Sequence, residues 1–105
     1  MVEWLAIVYD KPGSDRSSVR SQHLADIPNS VTAGEVTNAG AIFNEIPQDG
    51  LKPNFAGSVL NIVADSKEQV LEILKKDIYA KTGVWDLENT LIYPTAVAYR
   101  KSKDL

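Results

Sequence analysis

The one histidine of this chain, His23, is the residue best suited to proton chemistry. It lies four residues after Val19 and four before Ile27, so helical spacing places it on the inward stripe of a predicted helix. Imidazole exchanges a proton near neutral pH and can act there as an acid or a base. A core histidine with a single hydrogen bond fits the same spacing, so two interpretations stay open.

Arg20 precedes His23 by three residues and therefore shares its helical face. As a neighbouring cation it would favour the neutral, proton-accepting imidazole. Its guanidinium could equally hold the carboxylate of a substrate. A solvated surface arginine would show the same spacing.

Asp77 is the second candidate for proton chemistry. It follows Lys75 and Lys76 near the predicted end of a helix, where the helix dipole disfavours a negative charge. Balancing the two lysines is one explanation. The other is that its carboxylate accepts a hydrogen bond from His23 and fixes the tautomer of the imidazole, as a carboxylate orients a catalytic base.

Three further residues could help to bind a small molecule. Ser58 follows Gly57 at the start of a predicted strand and could donate to an anionic oxygen, although such a pair is commonly a turn feature. Tyr79 and Trp85 flank Gly83 and could wall an apolar pocket with polar edges, although aromatic residues more often pack in a core. Their coincidence with His23 makes them candidates.

The composition predicts a single domain over residues 1–105, with a net charge of −3 and a pI near 5.0. The acidic balance argues against a nucleic-acid partner, and no apolar stretch approaches the ~20 residues of a membrane span. A chain without cysteine and with one histidine lacks the ligands of a structural zinc site. The glycine-rich phosphate-binding motifs and the hydrolase elbow are absent. We therefore expect a protein that uses no metal or cofactor and binds neither nucleic acid nor membrane. The N-terminus lacks the positive region of a signal peptide, which predicts a cytoplasmic location.

The order of apolar segments predicts a ferredoxin-like βαββαβ fold of the α+β class, in which two helices cover one face of a four-stranded antiparallel sheet. The strands are predicted at residues 4–9, 41–46, 56–64 and 90–99. Alternate residues of the first strand are apolar on both sides: Trp4, Ala6 and Val8 against Leu5, Ile7 and Tyr9. Because two helices cover only one face, the other would expose a large apolar patch, and this predicts a homodimer packed sheet to sheet.

The second helix, predicted at residues 66–76, has the clearest pattern. Ser66 and Gln69 form a capping box, and Val70, Ile73 and Leu74 are predicted to be buried.

The first helix is predicted to begin near residue 14 or 15. Its apolar stripe is Val19, Leu24, Ile27 and Val31. Pro28 lies inside the stripe and should kink or divide the helix. Gly34 is the expected end signal, and residues 38–40 are the alternative.

Four segments carry a resemblance to a known family. They are Asp10-Lys11-Pro12-Gly13 after the first strand, Arg20-x-x-His23-Leu24, the strand from Gly57-Ser58 to Ala64-Asp65-Ser66, and Asp77-x-Tyr79-x-x-x-Gly83-Val84-Trp85. Together they resemble the YCII-related family. The resemblance implies a dimeric ferredoxin-like α+β barrel with a pocket between each sheet and its first helix, where His23 and Asp77 would meet. The chain departs from the family at Ile78, where the family usually has proline.

Residues and resemblance together predict a small cofactor-free enzyme that acts on a small organic metabolite. His23 would move a proton, Asp77 would orient the imidazole, and Arg20 or Ser58 would hold an anionic part. Isomerisation, lyase chemistry and hydrolysis all use such a pair, and the sequence does not choose among them. The alternative is a non-catalytic module for small-molecule binding or dimerisation, with a structural hydrogen bond between His23 and Asp77.

Overall fold

A four-stranded antiparallel sheet is the frame of the protein in the computed structural model, which describes residues 1–104. The strands are β1 (Val2–Tyr9), β2 (Val36–Phe43), β3 (Phe55–Ala64) and β4 (Leu91–Thr95), arranged in the order β2-β3-β1-β4. The helices are α1 (Arg20–Thr32), α2 (Lys67–Lys75) and α3 (Ile78–Lys81). The predicted ferredoxin-like α+β fold is confirmed. Within residues 1–104, no helix has both the length and the apolar character needed to cross a membrane.

The core lies on one face of this sheet. Ala6 and Val8 of β1 are fully buried, and so is Ile62 of β3. They belong to one cluster with Val70 and Leu74 of α2, so the helices cover this face. The alternation along β1 thus separates a buried side from a side that the helices leave uncovered.

The predicted limits of β2 are wrong, because the strand runs over Val36–Phe43 rather than residues 41–46. Its first half pairs with β3, but Thr37 and Asn38 are polar and exposed. One face of an antiparallel sheet can be solvated, so a strand can contain polar residues. For this reason the first half of β2 has the polar sequence that is typical of a loop. The strand ends where Phe43 pairs with Phe55, the first residue of β3.

β4 is also shorter than predicted, since it ends at Thr95. It is an edge strand, and β1 is its one pairing partner among residues 1–104. Thr95 lies opposite Glu3, almost at the start of β1, so the pairing partner runs out there. Pro94, which lacks an N–H, is tolerated on such an edge.

The first helix differs from its prediction in three ways. It begins at Arg20, after a separate 3-10 turn at Arg16–Ser18. It continues through Pro28 without a break, and the carbonyl that Pro28 cannot bond belongs to the exposed Leu24, where water can reach it. The predicted apolar stripe is wrong at Leu24 and Val31, which are 46% and 51% exposed. The inward face runs through Val19, His23, Ile27 and Ser30 instead. Gly34, with φ of 77°, follows the end of the helix as predicted.

The second helix follows its sequence pattern closely. Ser66 Oγ accepts the Gln69 N–H at 3.1 Å, which confirms the N-terminal cap. Val70 and Leu74 are buried, as predicted. Ile73 is only partly buried, because it packs at the edge of the core and also lines a cavity between α1 and α2.

Candidate functional site

His23 of α1 and Asp77, which follows α2, meet across 54 residues of sequence. His23 Nδ1 lies 2.8 Å from Asp77 Oδ1, and both side chains are largely buried. Because an ionised carboxylate can only accept a hydrogen bond, Nδ1 carries the proton and donates it. Nε2 makes no hydrogen bond with residues 1–104, so its lone pair is free to accept a proton.

Asp77 does not lie in the electrostatically unfavourable position that its place after α2 predicted. The residue does follow α2, but it is also the N-cap of α3, and its Oδ1 accepts the Tyr79 N–H at 2.9 Å. A negative charge is favourable at a helix N-terminus, so Asp77 is not electrostatically misplaced. The cap holds the carboxylate in place against His23.

Two aromatic side chains enclose the imidazole. The rings of His23 and Tyr79 are stacked, with centroids 3.9 Å apart and planes 11° apart. Trp85 meets His23 edge-on, with centroids 6.0 Å apart. Tyr79 and Trp85 are both buried core residues, so they pack and also form the surroundings of His23. This stacking restricts the rotation of the imidazole.

Arg16 is the residue of this region that the sequence analysis missed. It is only 5% exposed, and its Nε and Nη2 donate to the two carboxylate oxygens of Asp10 at 2.8 and 2.7 Å. Its Cζ lies 4.7 Å from the ring centroids of both Tyr79 and Phe55. A single arginine in a three-residue 3-10 turn has no periodic pattern, so nothing in the sequence marked it as buried.

Ser58 joins Arg16 to Trp85. Its Oγ accepts from Arg16 Nη2 at 3.1 Å and from Trp85 Nε1 at 3.2 Å. Both lone pairs are then used, so the Ser58 hydroxyl can act only as a donor.

Tyr79 brings a second hydroxyl donor to this region. Its buried Oη has no hydrogen-bond partner among residues 1–104. Burial raises the pKa of Tyr79, which keeps the phenol protonated. Ser58 and Tyr79 thus provide two neutral donors without an acceptor.

Arg20 is not brought to the His23–Asp77 pair in the way that was expected. Its side chain is exposed, with Cζ 5.6 Å from the ring centroid of Phe55. A cavity of about 70 Å³ between α1, α2 and the sheet is lined by Asp77 and Trp85, but neither His23 nor Arg20 lines it. The predicted shared cavity is therefore wrong, because Arg20 at the first position of α1 points toward β3 instead. Within residues 1–104, no three His, Asp or Glu side chains are grouped to hold a metal ion.

Fungal proteins of known biosynthetic clusters are similar to this chain. It is 33% identical over 94 residues to fusaric acid biosynthesis protein 2 of Gibberella fujikuroi, and the match covers 88% of the chain and 90% of that protein. It is 34% identical over 104 residues to aspercryptin biosynthesis cluster protein B of Emericella nidulans, over 95% of the chain and 66% of that protein. It is 31% identical to aspartate kinase FUB3 of Fusarium oxysporum f. sp. lycopersici, over 96% of the chain but only 19% of that much longer protein. No family model matches the chain.

A solved structure with the same fold is similar to this chain. It is a 5-chloro-2-hydroxyhydroquinone dehydrochlorinase from Burkholderia phenoliruptrix AC1100, in complex with 2,5-dihydroxybenzoquinone. The TM-score is 0.71 with 22% sequence identity, over 90% of this chain and 93% of the other. At that identity the likeness establishes the common architecture.

Proposed function

This chain belongs to the same family as fusaric acid biosynthesis protein 2, and on that premise we propose that it is an enzyme that moves a proton on a small organic metabolite. One observation carries the proposal: His23 Nδ1 is held by Asp77 at 2.8 Å, while Nε2 has no partner among residues 1–104. An imidazole so oriented is a general base with a defined tautomer. The biosynthetic clusters that give the relatives their names support a small-molecule substrate.

The surrounding side chains favour a substrate with a carbonyl or carboxylate oxygen. Ser58 and Tyr79 are the neutral donors, and Arg16 supplies positive charge beside them. Donors that are already oriented stabilise an oxygen on which negative charge develops. Arg20 would attract an anionic substrate from the solvent side, and Trp85 would help to keep water from the imidazole. Proton transfer at a carbon next to a carbonyl is therefore the reaction class that we assign to the site, without metal or cofactor.

Deuterium exchange tests this assignment without knowledge of the natural substrate. Pyruvate and 2-oxobutyrate in D₂O would be followed by proton NMR, and the wild-type protein should accelerate loss of the signal at the carbon next to the carbonyl. Asp77→Asn should lower that rate by about 10²–10⁴-fold, the scale of general acid–base catalysis. Asp49→Asn is the matched control, because Asp49 is an exposed loop carboxylate. Equal exchange rates for wild type and Asp77→Asn would show that Asp77 does not orient a catalytic imidazole for this class of substrate, which would overturn the proposed pair.

A second candidate is a non-catalytic module in which the same contact is structural. It is favoured by the double use of Asp77 Oδ1, which also caps α3 through Tyr79 N–H. In that case Asp77→Asn should lower the free energy of unfolding by about 1–3 kcal/mol, the usual result of leaving a buried polar group unpaired. No exchange would be observed with any variant.

We further propose that the protein is a homodimer, joined through the sheet face that lies away from the helices. Leu5 and Ile7 of β1 lie on that face, and beside them on β4 Leu91 and Tyr93 are 39% and 53% exposed. A second copy would remove this apolar surface from water. We also propose that the chain is a member of the YCII-related family and has a cytoplasmic location. The segment from Asp77 to Trp85 supports the family assignment.

A further inference from the structure

A recess of about 510 Å³ lies between the β1–α1 connection and the β2–β3 connection, on the Arg16 side of Tyr79. Its lining is mostly polar. The residues that matter for what it can bind are Asp10, Lys11, Asp15, Arg16, Lys52 and Phe55. Neither His23 nor Asp77 lines it, so it is distinct from the acid–base pair.

The two carboxylates of the recess already have partners. Arg16 binds both oxygens of Asp10. Asp15 Oδ1 accepts the Ser17 N–H at 3.0 Å, and hydrogen bonding by Ser17, with a smaller effect from Lys52, lowers the pKa of Asp15. Asp15 is nevertheless exposed, and no ion pair among residues 1–104 joins it or Asp10 to a lysine of the recess.

The two lysines of the recess are therefore free of direct ion pairs, whereas the charge of Arg16 is paired with Asp10. Lys11 and Lys52 are exposed at its rim. Arg16 uses its Nε and Nη2 for Asp10 and Ser58, whereas its Nη1 donates to no acceptor among residues 1–104. Nη1 is not one of the fully buried atoms that lack a partner, so it is open to solvent although the rest of the side chain is buried. Because Arg16 lines the recess, an anion that enters it can replace the water at this donor.

We propose that this recess binds the carboxylate of a small planar organic anion, with Arg16 Nη1 as the anchoring donor and Lys52 as the rim charge. A guanidinium binds a carboxylate with directed hydrogen bonds. The Phe55 ring lines the recess 4.7 Å from Arg16 Cζ and offers a flat apolar surface to the rest of the ligand.

An anion bound in the recess would lie near the imidazole, on the other side of one aromatic ring. The Tyr79 ring lies 4.7 Å from Arg16 Cζ and is stacked on His23 at 3.9 Å, so it separates the recess from the acid–base pair. This inference rests on the proposed function only in taking the bound anion to be its substrate. Binding itself requires nothing of His23.

Amide chemical-shift titration of the full chain with sodium benzoate tests the inference, with benzamide as the neutral analogue of the same shape. Benzoate should shift the amides of residues 10–16 and 52–56, and benzamide should bind far more weakly. Arg16→Lys keeps a charge for Asp10 but changes the donor geometry, and it should weaken benzoate binding about tenfold, a change of about 1.4 kcal/mol. Lys52→Ala alters only an exposed residue and should weaken binding several-fold, whereas Lys67→Ala, an exposed lysine of α2, should not.

Three results would overturn the inference: equal binding of benzamide and benzoate, shifts confined to other regions, or equal effects of Lys52→Ala and Lys67→Ala. Preferential binding of inorganic phosphate would overturn the carboxylate assignment. His23→Gln separates the two proposals. It should abolish deuterium exchange but leave benzoate binding unchanged. A wild-type protein that binds benzoate but does not accelerate deuterium exchange would count against the enzyme proposal alone. A wild-type protein that accelerates exchange but does not bind benzoate would count against the recess alone.

Discussion

Replacement of Tyr79 by phenylalanine should make this protein more stable, although it removes a polar group from the candidate site. The Tyr79 side chain is fully buried, and its hydroxyl has no partner among residues 1–104. Burial of an unpaired hydroxyl costs about 1–3 kcal/mol. Phenylalanine retains the stacking on His23 and the edge contact with Trp85, so little packing energy is lost. We therefore expect Tyr79→Phe to raise the free energy of unfolding by about 1–3 kcal/mol.

The pH dependence of stability provides a second measurement of the same hydroxyl. Burial raises the pKa of Tyr79 above its ordinary value of 10.0. Between the unfolded and the folded pKa, the unfolded chain has lost the phenolic proton while the folded chain retains it. The contribution of the protonated Tyr79 to the free energy of unfolding is thus fully present below the pKa that Tyr79 has in the unfolded chain. It is lost as the pH rises through the higher pKa that Tyr79 has in the folded protein. Tyr79→Phe should lack this part of the alkaline destabilisation.

Urea unfolding at neutral pH and at pH values above 10 would measure both effects, with Tyr99→Phe as the control. Tyr99 is 80% exposed, so its change should alter stability by less than about 0.5 kcal/mol. Thermal melts would add a shift of about 4–8 °C for each kcal/mol in a domain of this size. A loss of stability in Tyr79→Phe would refute the reasoning, because it would mean that the hydroxyl has a hydrogen-bond partner in the folded protein.

The core and the outer sheet face give two further predictions. Leu74→Ala should lower the free energy of unfolding by about 2–5 kcal/mol, and Ile73→Ala should lower it less because Ile73 is only partly buried. Urea unfolding of both variants would measure this, and a larger loss in Ile73→Ala than in Leu74→Ala would show that the buried face of α2 is misassigned. Sedimentation at micromolar concentration should give twice the chain mass for wild type and a monomer for Ile7→Lys, because the lysine charge would be desolvated between the sheets. A monomeric wild type would disprove the homodimer.

Features that depend on neighbouring residues in sequence were predicted well. The Ser66 cap and the buried side of α2 require only contacts within a few residues, so their pattern is complete in the sequence. The start of β2 was missed because Asn38 is polar, and its place in the sheet depends on Asn61 of β3, 23 residues away. The break expected at Pro28 did not occur, since helix continuity depends on how the lost hydrogen bond is compensated by solvent.

The site shows the same division. His23 was identified because it is unique and lies at helical spacing, and Asp77 because of its position after α2, even though the electrostatic reason given for it was wrong. Their contact was expected from a family resemblance, since spacing alone cannot bring together residues 54 apart. The burial of Arg16 had no local signal at all.

The amino-acid sequence by itself determined the order of the elements, the α+β class and the candidate acid–base residues, because apolar periodicity and residue type are local properties of the chain. Only the tertiary structure decided which candidates meet. It placed Asp77 against His23, left Arg20 exposed at the start of α1, and buried Arg16 between Asp10 and Ser58. These outcomes depend on the register of β1 against β3 and on the docking of α1 over the sheet. Both are settled by packing among residues far apart in the chain.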